Sequence, residues 1–127
     1  MDEIFKTLLL RTDKHGYTYA NGDDVDLWSS RLSLSVPTFL NEINRALALA
    51  YQAGDSSYEF CDSLINDLWA IFMDRVGKPN EIKCPDLFIE VYDAFDAGEY
   101  HRSPDKSDNP VADYTDPQIA KIVAELS

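Results

Sequence analysis

The stretch SYEFCDSLINDLWAIFMDRV at residues 57–76 gives the strongest indication of the fold class. Its large apolar side chains recur every three or four residues, which is the period of an α-helix buried along one side. They are Phe60, Leu64, Ile65, Leu68, Trp69, Phe72 and Val76. Ser56 with Glu59 three residues later predicts a capping box, and Gly77 follows the last turn. A helix of 20 residues spans about 30 Å, so we expect it to be the central element.

Four further segments carry the same helical period. They predict helices over residues 2–14, 37–53, 85–97 and 117–126. A glycine closely follows three of these segments and a proline opens three of them, which is the usual asymmetry of helix ends. The chain therefore reads as a series of amphipathic helices that share one core.

Residues 17–36 fit two structures. Asn21-Gly22 lies between two short apolar-polar runs, which is typical of a hairpin turn. A Val, a Trp and a Leu spaced three and four residues apart also fit a short helix capped by Asp23. We favour a short helix after a turn, with the hairpin as the alternative.

Residues 99–114 contain two prolines and little periodicity, which predicts a long irregular loop. No repeat or Gly/Ser linker divides the 127 residues, a length that suits one compact domain. The predicted fold is mainly α: a single-domain bundle of about five helices over residues 1–127.

Composition excludes several classes of function. The chain has 23 Asp and Glu against 11 Lys and Arg, a formal net charge of −12. Aromatic residues make up 12% of it, so a packed core is expected rather than acidic disorder. The charge repels phosphate backbones and anionic lipids, so neither nucleic acid nor a membrane is an expected partner. A cationic partner is favoured.

The start of the chain, Met1-Asp2-Glu3, lacks the basic and apolar regions of a secretory signal, and no apolar stretch is long enough to span a bilayer. A cytoplasmic location is therefore expected. Cys61 and Cys84 could form one disulfide, but a single pair without a signal more often represents two reduced thiols, which is our prediction.

The acidic charge is concentrated. Residues 55–77 and 78–99 each carry a net −4, whereas residues 1–16 are neutral. Acids spaced four apart on a helix repel each other, and neither acidic stripe contains a compensating base. Two interpretations remain open: a solvated helix face, or a surface that steers a basic partner. The predicted partner-binding residues are Asp86, Glu90, Asp93, Asp96, Glu99, Tyr92, Tyr100, Glu59 and Asp62.

Catalytic motifs are scarce. The two histidines, His15 and His101, have no nucleophile or zinc-ligand pattern beside them, and phosphate-binding glycine loops are absent. Alternating oxygen-bearing residues begin at Asp105, but Pro110 stands where a calcium-binding loop of this kind needs glycine. No cofactor is predicted.

One acidic pattern could still support an enzyme. Glu59-x-x-Asp62 and Glu90-x-x-Asp93 place two carboxylate pairs on successive helices. This arrangement resembles the paired carboxylate motifs of all-α MazG-type nucleotide pyrophosphohydrolases. The resemblance covers four residues and implies a Mg²⁺-dependent hydrolase. The chain departs from that family in lacking a further Glu and the basic phosphate-binding residues.

The function favoured by these observations is a small acidic binding protein that is not an enzyme. Its most concrete form is a bacterial immunity protein that neutralises a cationic toxin, such as a nuclease, by occluding its active or substrate-binding site. The alternatives are the Mg²⁺-dependent hydrolase and an acidic nucleic-acid mimic that blocks a DNA-binding protein. Partner binding is expected to weaken with salt and to be lost on Glu90→Lys or Asp93→Lys.

Overall fold

The computed structural model describes residues 1–75 and 85–126. Within these ranges it contains six α-helices and one turn of π-helix, and no strand. The elements are α1 (Asp2–Leu10), α2 (Gly22–Arg31), α3 (Val36–Gln52), α4 (Tyr58–Arg75), α5 (Asp86–Asp96), the π-helical turn Val111–Thr115 and α6 (Asp116–Glu125). The predicted mainly-α bundle is confirmed. The short helix forms in residues 17–36, and the hairpin alternative does not.

Helices α3 and α5 make the most extensive contacts in the described residues: α3 packs against α2, α4, α5 and α6, and α5 packs against α3, α4, α6 and the π-helical turn. The α3 stripe Phe39, Leu40, Ile43 and Leu47 is buried to 1% exposure or less. The expectation that the 57–76 helix is the central element is therefore wrong. Length determines how far a helix reaches, whereas the number of neighbours depends on how many sides of it are apolar or small.

Aromatic rings of α4 and α5 pack against each other in the core. Phe88 of α5 is fully buried, and its ring meets Phe72 edge-on and lies 5.6 Å from the Trp69 ring. Such edge-to-face pairs add to the free energy of burying apolar surface. Truncating Phe88 to Ala would leave a cavity between α4 and α5 and cost about 3–5 kcal/mol of stability.

Two predicted N-caps are wrong by a residue or two. In α2 the cap is Asn21 rather than Asp23: the Asp24 backbone N–H donates to Asn21 Oδ1, and the Asn21 N–H donates back to the Asp24 carboxylate. In α4 the Phe60 N–H donates to Ser57 Oγ at 3.1 Å, so Ser57 takes the place predicted for Ser56. Neighbouring serines offer equivalent caps, and the sequence does not distinguish them.

Helix α1 ends at Leu10, four residues before its predicted end. The Asp13 carboxylate accepts hydrogen bonds from the backbone N–H groups of His15 and Tyr17. Such local side-chain bonds compete with helix continuation. Gly16, at φ +87°, lies in the following turn rather than at a helix cap. The other predicted helices differ from the observed ones by about one residue at each described end.

The predicted loop 99–114 is partly ordered by its own side chains. Arg102 lies over the rings of Tyr100 and Tyr114, 4.2 and 3.8 Å from their centroids. The Asp108 carboxylate accepts from the Arg102 backbone N–H at 2.8 Å. The end of the loop then forms the π-helical turn, which leads into α6.

Three predicted features concern residues that lie outside the described part of the chain: Val76, Gly77 and Cys84. Cys61 is a free thiol buried in the core, and burial raises its pKa. Among the described helices, none combines the length and the apolar character that crossing a bilayer requires.

Candidate binding surface

Acidic side chains meet where α4 and α5 pack together. Asp62 lies on α4, Asp96 is the last residue of α5, and Glu99 follows two residues beyond Ala97. Gly98 permits this close approach, because a Cβ there would overlap Thr115 Oγ1 and lie 3.0 Å from the Tyr58 hydroxyl oxygen. The chain therefore turns tightly against α4 and carries Glu99 to the side of Asp62.

Hydrogen bonds hold this junction in place. Asn66 Nδ2 donates to Glu99 Oε2 at 2.7 Å and to the Asp62 backbone carbonyl at 2.9 Å. The Tyr58 hydroxyl donates to the Phe95 carbonyl at 2.7 Å, which ties the first turn of α4 to the end of α5. The carboxylates are thus kept near each other by neutral donors rather than by cations.

Asp62 has the most perturbed carboxyl group of the site. Burial, a side-chain hydrogen bond with Glu99 and the charges of Glu99 and Asp96 raise its pKa to about 8. Its Oδ1 atom is buried without a hydrogen-bond partner. At neutral pH the protonated form of Asp62 is therefore favoured, because ionising it would place a partly buried charge beside other carboxylates.

The same repulsion extends along α5. Partial burial, then the charges of Glu99 and Asp93, raise the pKa of Asp96. Burial, followed by Asp96 and Glu99, raises the pKa of Tyr92. In residues 1–75 and 85–126, none of the observed ion pairs involves Asp62, Asp96 or Glu99. Negative charge is therefore gathered here, and the charge of Arg102, which lowers the pKa of Asp96, offsets only part of it.

A cleft opens beside these acids. It has a volume of about 350 Å³ and is lined by Tyr17, Tyr58, Glu59, Asp62, Gly98 and Glu99, and we call it the acidic cleft. Two tyrosines and three carboxyl groups around a small cavity form a suitable receptor for a long cationic side chain, because Lys and Arg combine an apolar stem with a charged head.

The remaining predicted acids lie elsewhere. Glu90 and Asp93 line a second concavity, of about 270 Å³, together with Gln118, Lys121 and Glu125 of α6. Asp86 is exposed in the first turn of α5, where a negative charge suits the helix dipole. The single acidic surface predicted from the sequence is thus divided between two sides of α5.

The two tyrosines predicted to contact the partner, Tyr92 and Tyr100, differ in how much of each ring is free for that contact. Tyr92 is half-buried and stacks on Trp69, with centroids 4.1 Å apart and planes at 11°. Tyr100 is 55% exposed, and the Arg102 guanidinium lies over its ring.

Tyr17 and Tyr58 line the acidic cleft but are not among the predicted site residues. Tyr58 lies four residues before Asp62 on one helix face, a spacing that could have identified it, whereas only the fold brings Tyr17 there.

The carboxylate quartet implied by the pyrophosphohydrolase resemblance is not brought together. Glu59 and Asp62 line the acidic cleft, while Glu90 and Asp93 face α6 across the second concavity. No group of three or more His, Cys, Asp and Glu residues in the described part of the chain is placed to hold a metal ion.

Comparisons of the chain with protein families, with curated proteins and with solved structures found no match.

Proposed function

We propose that this chain is a small acidic binding protein that neutralises a basic protein partner. Its most concrete form is a bacterial immunity protein that acts in the cytoplasm against a cationic toxin, such as a nuclease. The acidic cleft receives a Lys or Arg of the partner, and the surrounding carboxylates cover the partner's substrate-binding groove. Inhibition is then steric and electrostatic, and it requires no catalytic group in this chain.

The observation that carries the proposal is the unbalanced charge at the acidic cleft. Asp62 is held beside Asp96 and Glu99 although the charges of both raise the free energy of ionising it, and Glu99 has the same effect on Asp96. A folded protein gains no stability from such a cluster, whereas a bound cation would relieve the repulsion. Residues that destabilise the free protein and favour a ligand are typical of functional sites.

The electrostatic field of the whole chain supports the same role. A net charge of −12 attracts a basic partner over several ångströms and raises its association rate. The aromatic rings of Tyr17 and Tyr58 supply rigid contact area beside the charges. Rigid aromatic side chains surrounded by polar groups are frequent among the residues that contribute most of the binding energy of a protein interface.

The test uses charge reversal at exposed positions. The partner is first isolated by capture from the host and purified, and its affinity for this chain and its enzymatic activity are measured over a range of salt concentrations. We expect a basic protein whose activity falls to zero at one equivalent of this chain. Glu99→Lys, in the acidic cleft, is expected to weaken binding at least about tenfold, because it places a like charge against the partner.

Two further variants locate the surface. Asp93→Lys reverses charge in the second concavity, and Glu42→Lys makes the same change at an exposed position of α3. If Glu42→Lys retains its affinity for the partner and Glu99→Lys loses it, the acidic cleft is supported as the binding site. Equal affinity in Glu99→Lys, Asp93→Lys and the unmodified chain, or a partner without net positive charge, would refute the proposal.

A further inference from the structure

A second surface of the molecule has a different chemistry. An apolar groove of about 400 Å³ runs between α1 and α3, lined by Met1, Phe5, Leu9, Ala46 and Ala50 with Asp2, Lys6, Asp55 and Ser56 also at its lining. Ala46 and Ala50 lie one helical turn apart, and their small side chains leave space along α3. The groove is therefore open to an apolar side chain of another molecule.

Leu9 lines this groove, and by helical spacing Leu10 lies one turn after Lys6 and Leu49 one turn after Ala46, on the same helix faces. Leu10 is 89% exposed, more than any other large apolar side chain in the described residues, and Leu9 is 55% exposed. Leu49, three residues from Ala46 on α3, is 41% exposed. Single exposed leucines are ordinary, but several around one groove form the kind of patch that marks an interaction site.

The same face thus carries both the projecting leucines and the groove that could receive them. A surface with both features can pair with itself around a two-fold axis, so that each copy inserts its leucines into the groove of the other. We propose that α1 and the adjacent face of α3 form a weak homodimer interface. This inference does not depend on the proposed function.

Charge favours a second copy over a basic partner as the occupant. Residues 1–16 carry equal numbers of acids and bases, whereas the rest of the chain holds the full −12. Two copies can therefore approach along α1 with the least mutual repulsion. Lys6 lines the groove together with Asp2 and Asp55, so a two-fold arrangement sets cations of one copy beside carboxylates of the other.

The oligomeric state tests the inference directly. Sedimentation velocity from about 10 μM to about 1 mM protein should show a monomer–dimer equilibrium, since a small interface of this type binds weakly. Added salt should strengthen the dimer, because it screens the repulsion between two acidic chains. Partner binding at the acidic cleft responds to salt in the opposite sense, so the two proposals fail independently.

Leu10→Glu is the decisive variant. Because the side chain is almost fully exposed, we expect the fold and the thermal stability to be unchanged and dimerisation to fall at least about tenfold. Leu27→Glu is the matched control: Leu27 is 48% exposed and lies on α2, not on α1 or α3, which form the groove. A monomer at every concentration, or equal weakening by the two variants, would overturn the inference.

Discussion

Asp62→Asn is expected to stabilise the folded protein in alkaline solution. The pKa of Asp62 is raised to about 8, chiefly by burial and by Glu99 and Asp96. In the unfolded chain the same carboxyl titrates near its ordinary value of 3.8. Asparagine has the shape of the protonated acid and an N–H group that can donate to Glu99, but it never ionises.

The direction of the effect follows from linkage. A group whose pKa is higher in the folded state contributes stability that is complete below pH 3.8 and is lost as the pH rises through about 8. At about 1.4 kcal/mol per pH unit, this interval sets an upper limit of about 6 kcal/mol. Because Asp62 is partly exposed, solvent screening leaves roughly 1–3 kcal/mol. The wild-type protein should lose this amount between about pH 4 and pH 8, and Asp62→Asn should not.

Urea denaturation followed by circular dichroism measures the difference. The gap in unfolding free energy between Asp62→Asn and the wild type should widen from about pH 5 to about pH 9, which corresponds to about 3–5 °C in Tm per kcal/mol. Glu42→Gln removes one charge at an exposed position of α3 and serves as the control. It should follow the pH dependence of the wild type, within about 0.5 kcal/mol.

Parallel stability curves for the wild type and Asp62→Asn across this pH range would contradict the prediction. Asp62 would then titrate alike in the folded and unfolded chains, and the repulsion at the acidic cleft would be absent. An equal gain in Glu42→Gln would attribute the effect to the net charge of the whole chain rather than to the junction of α4 and α5.

Two more changes test the packing of the fold, one beside the acidic cleft and one between α1 and α2. Gly98→Ala should lower the unfolding free energy by about 1–3 kcal/mol, because the added methyl group overlaps Thr115 Oγ1 and crowds Tyr58. Denaturant unfolding measures the loss. Unchanged stability would contradict the close packing at Gly98. Arg11→Lys should cost about 1–2 kcal/mol, since Arg11 donates twice to the Asp24 carboxylate at 2.7 and 2.9 Å and lysine cannot reproduce this fork. Arg11 also lowers the pKa of Asp24, so the stabilisation from this ion pair is present above pH 3.8 and is lost as the pH falls through the lowered pKa. In an acid titration, the wild type should therefore lose more stability than Arg11→Lys. Equal losses in the two proteins would contradict this prediction.

The helices themselves were predictable because their signals are local. The apolar period of residues 57–76 and the prolines and glycines at segment ends locate α4 and its neighbours to within about a residue at most ends. The end of α1 was not predictable in this way. Asp13 stops the helix by bonding the backbone ahead of it, and the same sequence could equally have continued for another turn.

The acidic residues of the candidate site could also be named from the sequence, but not their grouping. Glu90 and Asp93 share a helix face with Asp86 by spacing, and the structure sets them against α6 instead of against Asp62. Glu99 lies 37 residues from Asp62 along the chain and reaches it only because Gly98 turns tightly against Tyr58.

An acidic, mainly helical chain with its net negative charge concentrated between residues 55 and 99 could be inferred from the sequence alone. Composition and periodicity suffice for that, because each depends on residue type and spacing alone. Helix packing, in contrast, sets which charges repel each other, which rings are stacked and which leucines remain exposed. Those properties depend on distances between segments far apart in the chain, and helix packing sets these distances.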